Sequence, residues 1–359
     1  MDIAAIITVA GDQQGQESWR SHETYGMGPS QDLFGSPVAF CSVLGRQILD
    51  HSLERLRRFG IEEISVISEN SPVPSRETRG HLHSTFWSAW DNIVSRYLSQ
   101  GFGHLLLLRL GCYAEVDLGD LLRFHHQSSS SLTQVCCGRD ALDMVLVNAA
   151  GLRIGAQSYR SKLSGMIARR RRYAFGGYFN SLATPREFRT FVRDTLLGRT
   201  EIRPHGQEIR PGVWFGDGVQ VDMTARIEAP AYIGANTRVG PSCLISGATA
   251  IEHNSEVDCG TTVDQCCVLP GTYVGMGLQL TNAVVAASRI FHLQRNLELS
   301  VIDPRIIGSA RLPHPRLKNE LVRRASFLLR NSRRTASALS TRSLQAASFM
   351  SSRWLGRYG

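Results

Sequence analysis

Between Phe215 and Leu269 every sixth residue is bulky and apolar: Phe215, Val221, Ile227, Ile233, Val239, Ile245, Ile251, Val257, Val263 and Leu269. Four residues after each stands a mostly small side chain, in the series Val219, Ala225, Ala231, Thr237, Cys243, Thr249, Ser255, Thr261, Cys267 and Tyr273. The position directly after the apolar one is often Gly, Asp or Glu, as at Gly216, Glu228, Gly234, Glu252 and Asp264. An amphipathic helix needs a period of 3.6 and a half-buried strand a period of 2, and neither sustains ten hexads. A period of six suits short strands joined by tight turns and wound into a triangular prism, with about eighteen residues per coil and the large residues stacked along the axis. A further coil around Leu278, Val284 and Ile290 requires a register shift of three residues.

This pattern resembles the left-handed parallel β-helix of hexapeptide-repeat proteins. By that resemblance acyl transfer is one expectation, because such prisms often place a histidine as general base beside a coenzyme A groove. His253, in IEHNSE, is the histidine within the ten hexads. Its place two residues past an inward position equally suits a solvated corner.

Ahead of the prism the periodicity changes. Ile3 to Val9 reads as a buried strand, and LGRQILDHSLERLRRFG gathers Ile48, Leu49, Leu53 and Leu56 on one helical face with arginines on the other. Gly60 supplies a stop and IEEISVIS the next strand. GHLLLLRL reads as a central strand, followed by a helix from Leu118 to His126 and a strand through Thr133 to Cys137. Alternating strands and helices predict an α/β domain with a mostly parallel sheet, which binds ligands at the carboxyl ends of its strands.

VLGRQILDHSLERLRRFGIEEISVIS (Val43 to Ser68) is similar to the corresponding segment of sugar-nucleotide pyrophosphorylases, nucleotidyltransferases that join a nucleoside triphosphate to a sugar 1-phosphate. Many of them carry a left-handed β-helix after the catalytic domain, and the likeness covers about residues 1 to 295. It implies a nucleotidyltransferase-like, Rossmann-like domain over 1–204, a β-helix over 205–295, and a tail over 296–359.

The resemblance also exposes departures. The family wraps its triphosphate in GGxGTRLxPLT, where glycines admit backbone N–H groups and a cation offsets charge. Here AGDQQGQESWRS keeps Gly11 and Gly15, adds Asp12, and has no Arg before Arg20. The family's phosphate-contacting Lys aligns with Val38, and the Asp that holds its magnesium aligns with Gly111. A valine cannot neutralise phosphate, and glycine has no side chain to bind a metal.

Candidate replacements are Arg109 for the cation and Glu115 or Asp117 for the carboxylate; the competing reading makes Arg109 a strand-end residue and the acids a helix start. AFGGYFNSL (Ala174 to Leu182) resembles the family's sugar-lining strand and nominates Gly177 and Tyr178, against a plain Gly-Gly turn beside a core Tyr. The basic run Arg169 to Arg172 precedes it.

Charge is distributed unevenly. The net +9 resides in the tail, where residues from Arg311 onward include ten Arg, one Lys and one Glu, while the preceding 310 residues carry 29 basic and 30 acidic side chains. Leu317, Leu321, Ala325, Leu328 and Leu329 share a face of a basic amphipathic helix, followed by a Ser/Ala/Arg-rich stretch with little core-forming power. A cap over the prism, an anchor on an anionic membrane surface and a disordered arm are the three readings. No aromatic platform or recognised module accompanies the charge, so nucleic acid is not an expected partner.

Eight cysteines without CxxC spacing or a histidine grouping point to reduced thiols and no metal site. An acidic second residue and no basic n-region predict a cytoplasmic protein, peripheral at a membrane at most. Together these features predict a protein of sugar-nucleotide or exopolysaccharide metabolism with a degenerate catalytic loop. It is expected to bind a sugar nucleotide or sugar phosphate as a sensor, or to pair with itself or an active paralogue. No cofactor is expected; magnesium enters only if the nucleotidyltransferase is active.

Overall fold

The computed structural model describes residues 2–9, 33–68, 86–153 and 158–310. Gly11, Gly15, Asp12, Arg20 and the basic tail from Arg311 lie outside the described residues. The described residues belong to one compact unit, Met1–Ala310, and none of their helices is long and apolar enough to cross a membrane.

The first half is an α/β domain. Its strands are β1 (Ile3–Val9), β2 (Ile64–Ser68), β3 (His104–Leu110), β4 (Leu132–Cys137), β5 (Asp140–Asn148) and β6 (Arg171–Ala174). They form one sheet in the order β2-β1-β3-β5-β4-β6. β1 pairs in parallel with β2 and β3, and β4 with β6, whereas β5 runs antiparallel to both neighbours. Every side chain of β1 is buried, as expected for a central strand covered on both faces.

The helices are α1 (Ile48–Arg58), α2 (Phe86–Ser99), α3 (Leu118–Gln127), α4 (Ala149–Arg153), α5 (Tyr159–Ile167) and α6 (Pro185–Leu196). α6 starts where the sequence reads Thr-Pro-Arg-Glu. Thr184 Oγ1 accepts from the Glu187 N–H at 3.2 Å, Pro185 occupies the first turn, and Glu187 accepts from Ala183 N–H at 3.0 Å.

Beyond residue 206 the chain forms three ladders of short parallel strands, an arrangement that fits a β-helix. Strands pair with those eighteen residues on: Val213 with Ala231 and Ala231 with Thr249, Val221 with Val239, Ile227 with Ile245. The spacing then drops to seventeen, since Ile251 pairs with Val268, Val257 with Val274 and Val263 with Leu280. The turn Asp264–Cys266 is therefore one residue shorter than its predecessors.

This corrects the last two hexads. The inward column continues through Val268 and Val274, both buried, and not through Leu269. Cys266 takes the small inward position expected for Cys267. The expected three-residue shift is likewise replaced: Leu280 and Val285 continue the column, Val284 points to the α/β core, and Ile290 lies in a strand, Arg289–His292, that pairs antiparallel with Ala283–Ala286. Leu297–Ser300 extends that hairpin, and Ile307–Ser309 closes the last coil by pairing antiparallel with Thr272–Val274.

The small inward residues are polar for a reason. Thr237 Oγ1 donates to Glu252 O at 3.0 Å, Ser255 Oγ to Leu269 O at 3.2 Å and Thr261 Oγ1 to Gly275 O at 2.6 Å. Each satisfies a corner carbonyl of the next coil that the strand ladder leaves unpaired.

One ladder faces the α/β domain. Its outward residues Tyr232, Ala250, Cys267 and Val284 are buried in the same apolar cluster as Leu44, Ile48, Phe188 and Phe191. α6 secures this contact, because buried Arg189 donates from Nε to Gln265 O at 2.7 Å and from Nη2 to Gly247 O at 2.9 Å.

Candidate functional site

β1 and β3 end side by side, with Val9 opposite Leu110, and open α/β sheets bind ligands at such an edge. Arg109, at the end of β3, is 7% exposed, and its Nη1 lies 3.5 Å from Asp143 Oδ2 on β5. The antiparallel register that pairs Leu108 with Met144 sets these two side by side. The Arg109 cation is thus offset within the sheet. Gly111 and Cys112 follow, half-buried, beside a cavity of about 30 Å³ whose lining includes Leu110, Cys112, Leu142 and Asp143, room for about one water. Val38, in a short 3-10 turn, is buried in the core.

Magnesium keeps several waters and is held by one or two carboxylates together with substrate phosphates. Among the described residues no cluster of three His, Cys, Asp or Glu could hold a metal ion. At the described strand end Gly111 brings no side chain, and the carboxylate of Asp143 lies 3.5 Å from Arg109 Nη1.

Glu115, Gly177 and Tyr178 do come together. Tyr113–Ala114 pairs antiparallel with Phe179–Asn180, and the Glu115 N–H donates to Tyr178 O at 2.8 Å. A Cβ on Gly177 would lie 2.0 Å from Glu115 O, so only glycine permits this approach. The Glu115 carboxylate accepts from Tyr113 Oη at 3.0 Å and from the Glu201 N–H at 2.6 Å. Burial raises its pKa, and those two donors act in the opposite direction. Tyr178 Oη donates to Asp194 Oδ2 at 3.2 Å. The Glu115 carboxylate thereby holds Tyr113 and the chain entering the coil at Glu201, while the Tyr178 side chain is held by α6.

Asp117 is the N-cap of α3, accepting from the Asp120 N–H at 3.0 Å. Asp117→Ala is expected to cost about 1 kcal/mol of stability and Asp117→Asn almost none, with ligand binding unchanged in both, as urea unfolding and calorimetric titration would show. In the basic run, Arg170 donates to Ile167 O at 3.1 Å and Arg172 donates to Arg139 O at 2.5 Å, so two of its four guanidinium groups engage local carbonyls.

In the coil, His253 has a 39% exposed side chain, and burial lowers its pKa, which favours the neutral imidazole. Its Nδ1 lies 3.9 Å from Glu252 Oε2, beyond hydrogen-bonding distance. Glu252 is the residue that sequence reasoning passed over. It is 3% exposed and accepts three hydrogen bonds from the turn preceding α1: Leu44 N–H to Oε1 at 2.6 Å, and Ser42 Oγ and Gly45 N–H to Oε2 at 2.9 and 3.1 Å. Burial pushes its pKa up to about 7 against the pull of those donors. The available signal was positional: eighteen and thirty-six residues earlier the same corner is Gly234 and Gly216, so a carboxylate there breaks a column of glycines.

No family model matches the chain. Over 81 residues, 21% of its length, it is 31% identical to the bifunctional protein GlmU of Pseudoalteromonas atlantica. The matched segment spans 18% of that protein, so the likeness concerns a part of each chain.

Proposed function

We propose that this chain is a sugar-nucleotide pyrophosphorylase-like protein, an α/β nucleotidyltransferase-like domain joined to a left-handed parallel β-helix, that binds a sugar nucleotide or sugar phosphate without ordinary nucleotidyl transfer. The observation that carries this reading is the end of β3. Arg109 is engaged by Asp143, and Gly111 supplies no carboxylate. By contrast, the segment with Gly177 and Tyr178, which the resemblance nominates for the sugar, leads into a strand pair with Tyr113–Ala114. The order of the two halves and the partial likeness to GlmU support the same kind of protein. The role that follows is a ligand sensor in sugar-nucleotide or exopolysaccharide metabolism, or the inactive partner of an active paralogue.

Two other activities have distinct signatures. A working nucleotidyltransferase would release pyrophosphate only with magnesium. An acyltransferase using the neutral His253 would bind coenzyme A and lose turnover in His253→Ala. Calorimetric titration with nucleoside triphosphates and sugar nucleotides, with and without magnesium, decides among them. The expected result is saturable sugar-nucleotide binding that does not depend on magnesium, with no pyrophosphate formed. Magnesium-dependent triphosphate binding with pyrophosphate release would overturn the proposal.

A further inference from the structure

Between α1 and the segment 201–206 that enters the coil lies a cleft of about 230 Å³. Its wall brings together four guanidinium groups, those of Arg46, Arg55, Arg58 and Arg203, and two carboxylates, Glu54 and Glu201. Glu54 is shared by Arg46 at 2.8 Å and Arg58 at 2.5 Å. Glu201 accepts from Arg55 at 3.0 Å, and Arg55 also donates to Val116 O at 2.6 Å. Arg203 forms no ion pair among the described residues. Two positive charges therefore remain uncompensated on one concave surface, even with His51 and His205 of the same wall neutral.

We infer that this cleft is a binding site for a small phosphorylated ligand, adjoining the sheet edge discussed above through Arg55 and Tyr113, which line both, and independent of the activity assigned to that edge. Guanidinium groups present paired N–H donors in the geometry that phosphate oxygens accept, and clustered like charges gain most from an anion placed among them. The side chains of Arg46 and Arg58 are 42% and 59% exposed, so the donors can be reached from solvent. Size sets the class. Pockets for drug-sized ligands start at roughly 300 Å³, and this one is smaller. It suits pyrophosphate or a phosphorylated monosaccharide better than a whole sugar nucleotide.

The placement gives such a ligand a structural consequence. Arg46 to Arg58 belong to α1 and the turn before it, while Arg203 and His205 belong to the link into the coil. The His205 N–H donates to Leu44 O at 2.9 Å, in the turn that holds Glu252. An anion bridging Arg58 and Arg203 ties these segments together, and a ligand bound only by the folded state raises the unfolding midpoint.

The test titrates the full chain at low ionic strength with inorganic pyrophosphate, orthophosphate and glucose 1-phosphate, by calorimetry and thermal unfolding. Saturable binding with a raised midpoint is expected for pyrophosphate, glucose 1-phosphate or both, and the tighter of the two identifies the source of the phosphate. Arg58→Glu and Arg203→Glu should each weaken binding about tenfold or more. Arg203→Lys should restore part of it, and Glu54→Gln, which removes the competing carboxylate, should tighten it. Sugar-nucleotide binding at the sheet edge should be unchanged in Arg203→Glu, so failure of either site is seen separately. Absence of saturable binding to all three anions, or binding that survives both charge reversals, overturns the inference. Arg203 is exposed, so its variants fold if the unliganded midpoint is retained.

Discussion

Exchanging Glu252 for alanine is expected to lower the unfolding free energy by about 4 kcal/mol, because it leaves Ser42 Oγ and the Leu44 and Gly45 N–H groups without their acceptor inside a closed contact. Glutamine removes the charge but keeps one acceptor oxygen, so its NH2 stands against either the Leu44 N–H or the Gly45 N–H and costs an amount that does not depend on pH. Burial pushes the folded-state pKa to about 7 from an ordinary carboxylate value of 4.5. Between those two values the folded chain holds a proton that the unfolded chain has released. Stability from this group is therefore fully present below the ordinary carboxylate pKa and is lost as pH rises through about 7. The loss amounts to about 3 kcal/mol at most.

In Glu252→Gln that slope is absent. On top of the constant loss from its mismatched amide, the glutamine form should gain stability relative to the glutamate form as pH rises from 5 to 8. His253, whose pKa burial lowers, contributes a slope of the opposite sign below its own ordinary value and lies 3.9 Å from Glu252 Oε2, so the comparison is made in a His253→Ala background. Urea unfolding across this pH range makes the measurement. A glutamine variant that is destabilised by the same amount at every pH would show that Glu252 stays ionised throughout.

What the sequence made legible follows from how locally each feature is encoded. β1 and α1 announce themselves through unbroken apolar runs and a one-sided helical face, and both are found where expected. The ladder is written in a six-residue rhythm that survives until Gln265. There the register slips by one because the turn is shorter, and Leu269 and Val268 are both bulky enough to continue the pattern. Periodicity cannot choose between two adjacent apolar residues; the backbone pairing of Ile251 with Val268 can. The antiparallel direction of β5 is similarly unreadable from Met144 to Val147, an apolar run that suits either direction.

The site was harder still. Arg109, Glu115 and Asp117 are close in sequence, yet they face separate partners in Asp143, Tyr113 and the Asp120 N–H. Glu252 meets residues about two hundred positions away, and the arginines of the cleft acquire a common role only when α1 and the link at Arg203 are brought side by side. Such constellations are products of tertiary packing, and no window of neighbouring residues contains them.

Gly234→Ala is expected to cost about 3 kcal/mol or more, although it adds a single methyl group, because Gly234 is buried at a corner of the coil. A Cβ at Gly234 would lie 2.4 Å from the backbone N of His253 and 2.7 Å from the carbonyl carbon of Glu252. Gly216 stands in the same relation one coil earlier, with a Cβ 2.4 Å from Ala235 N. At this corner one coil rests on the backbone of the next, and the neighbour that would have to yield is main chain, held by the Gly234 N–H to Ile251 O bond of 2.7 Å.

The corner at Glu228 is different. Its side chain is 43% exposed and pairs with Arg226 at 2.9 Å, so Glu228→Ala should change stability by no more than about 0.5 kcal/mol. The two substitutions occupy the same hexad position, and a repeat read only as a pattern predicts equal tolerance. Unequal midpoints in urea would place the difference in the stacking of the corners. Because any displacement at Gly234 is passed directly to Glu252, the alanine variant should also speed hydrogen exchange at the Leu44 and Gly45 amides. Unchanged exchange there, together with a lowered midpoint, would mean that the coil absorbs the methyl without loosening its hold on the α/β domain.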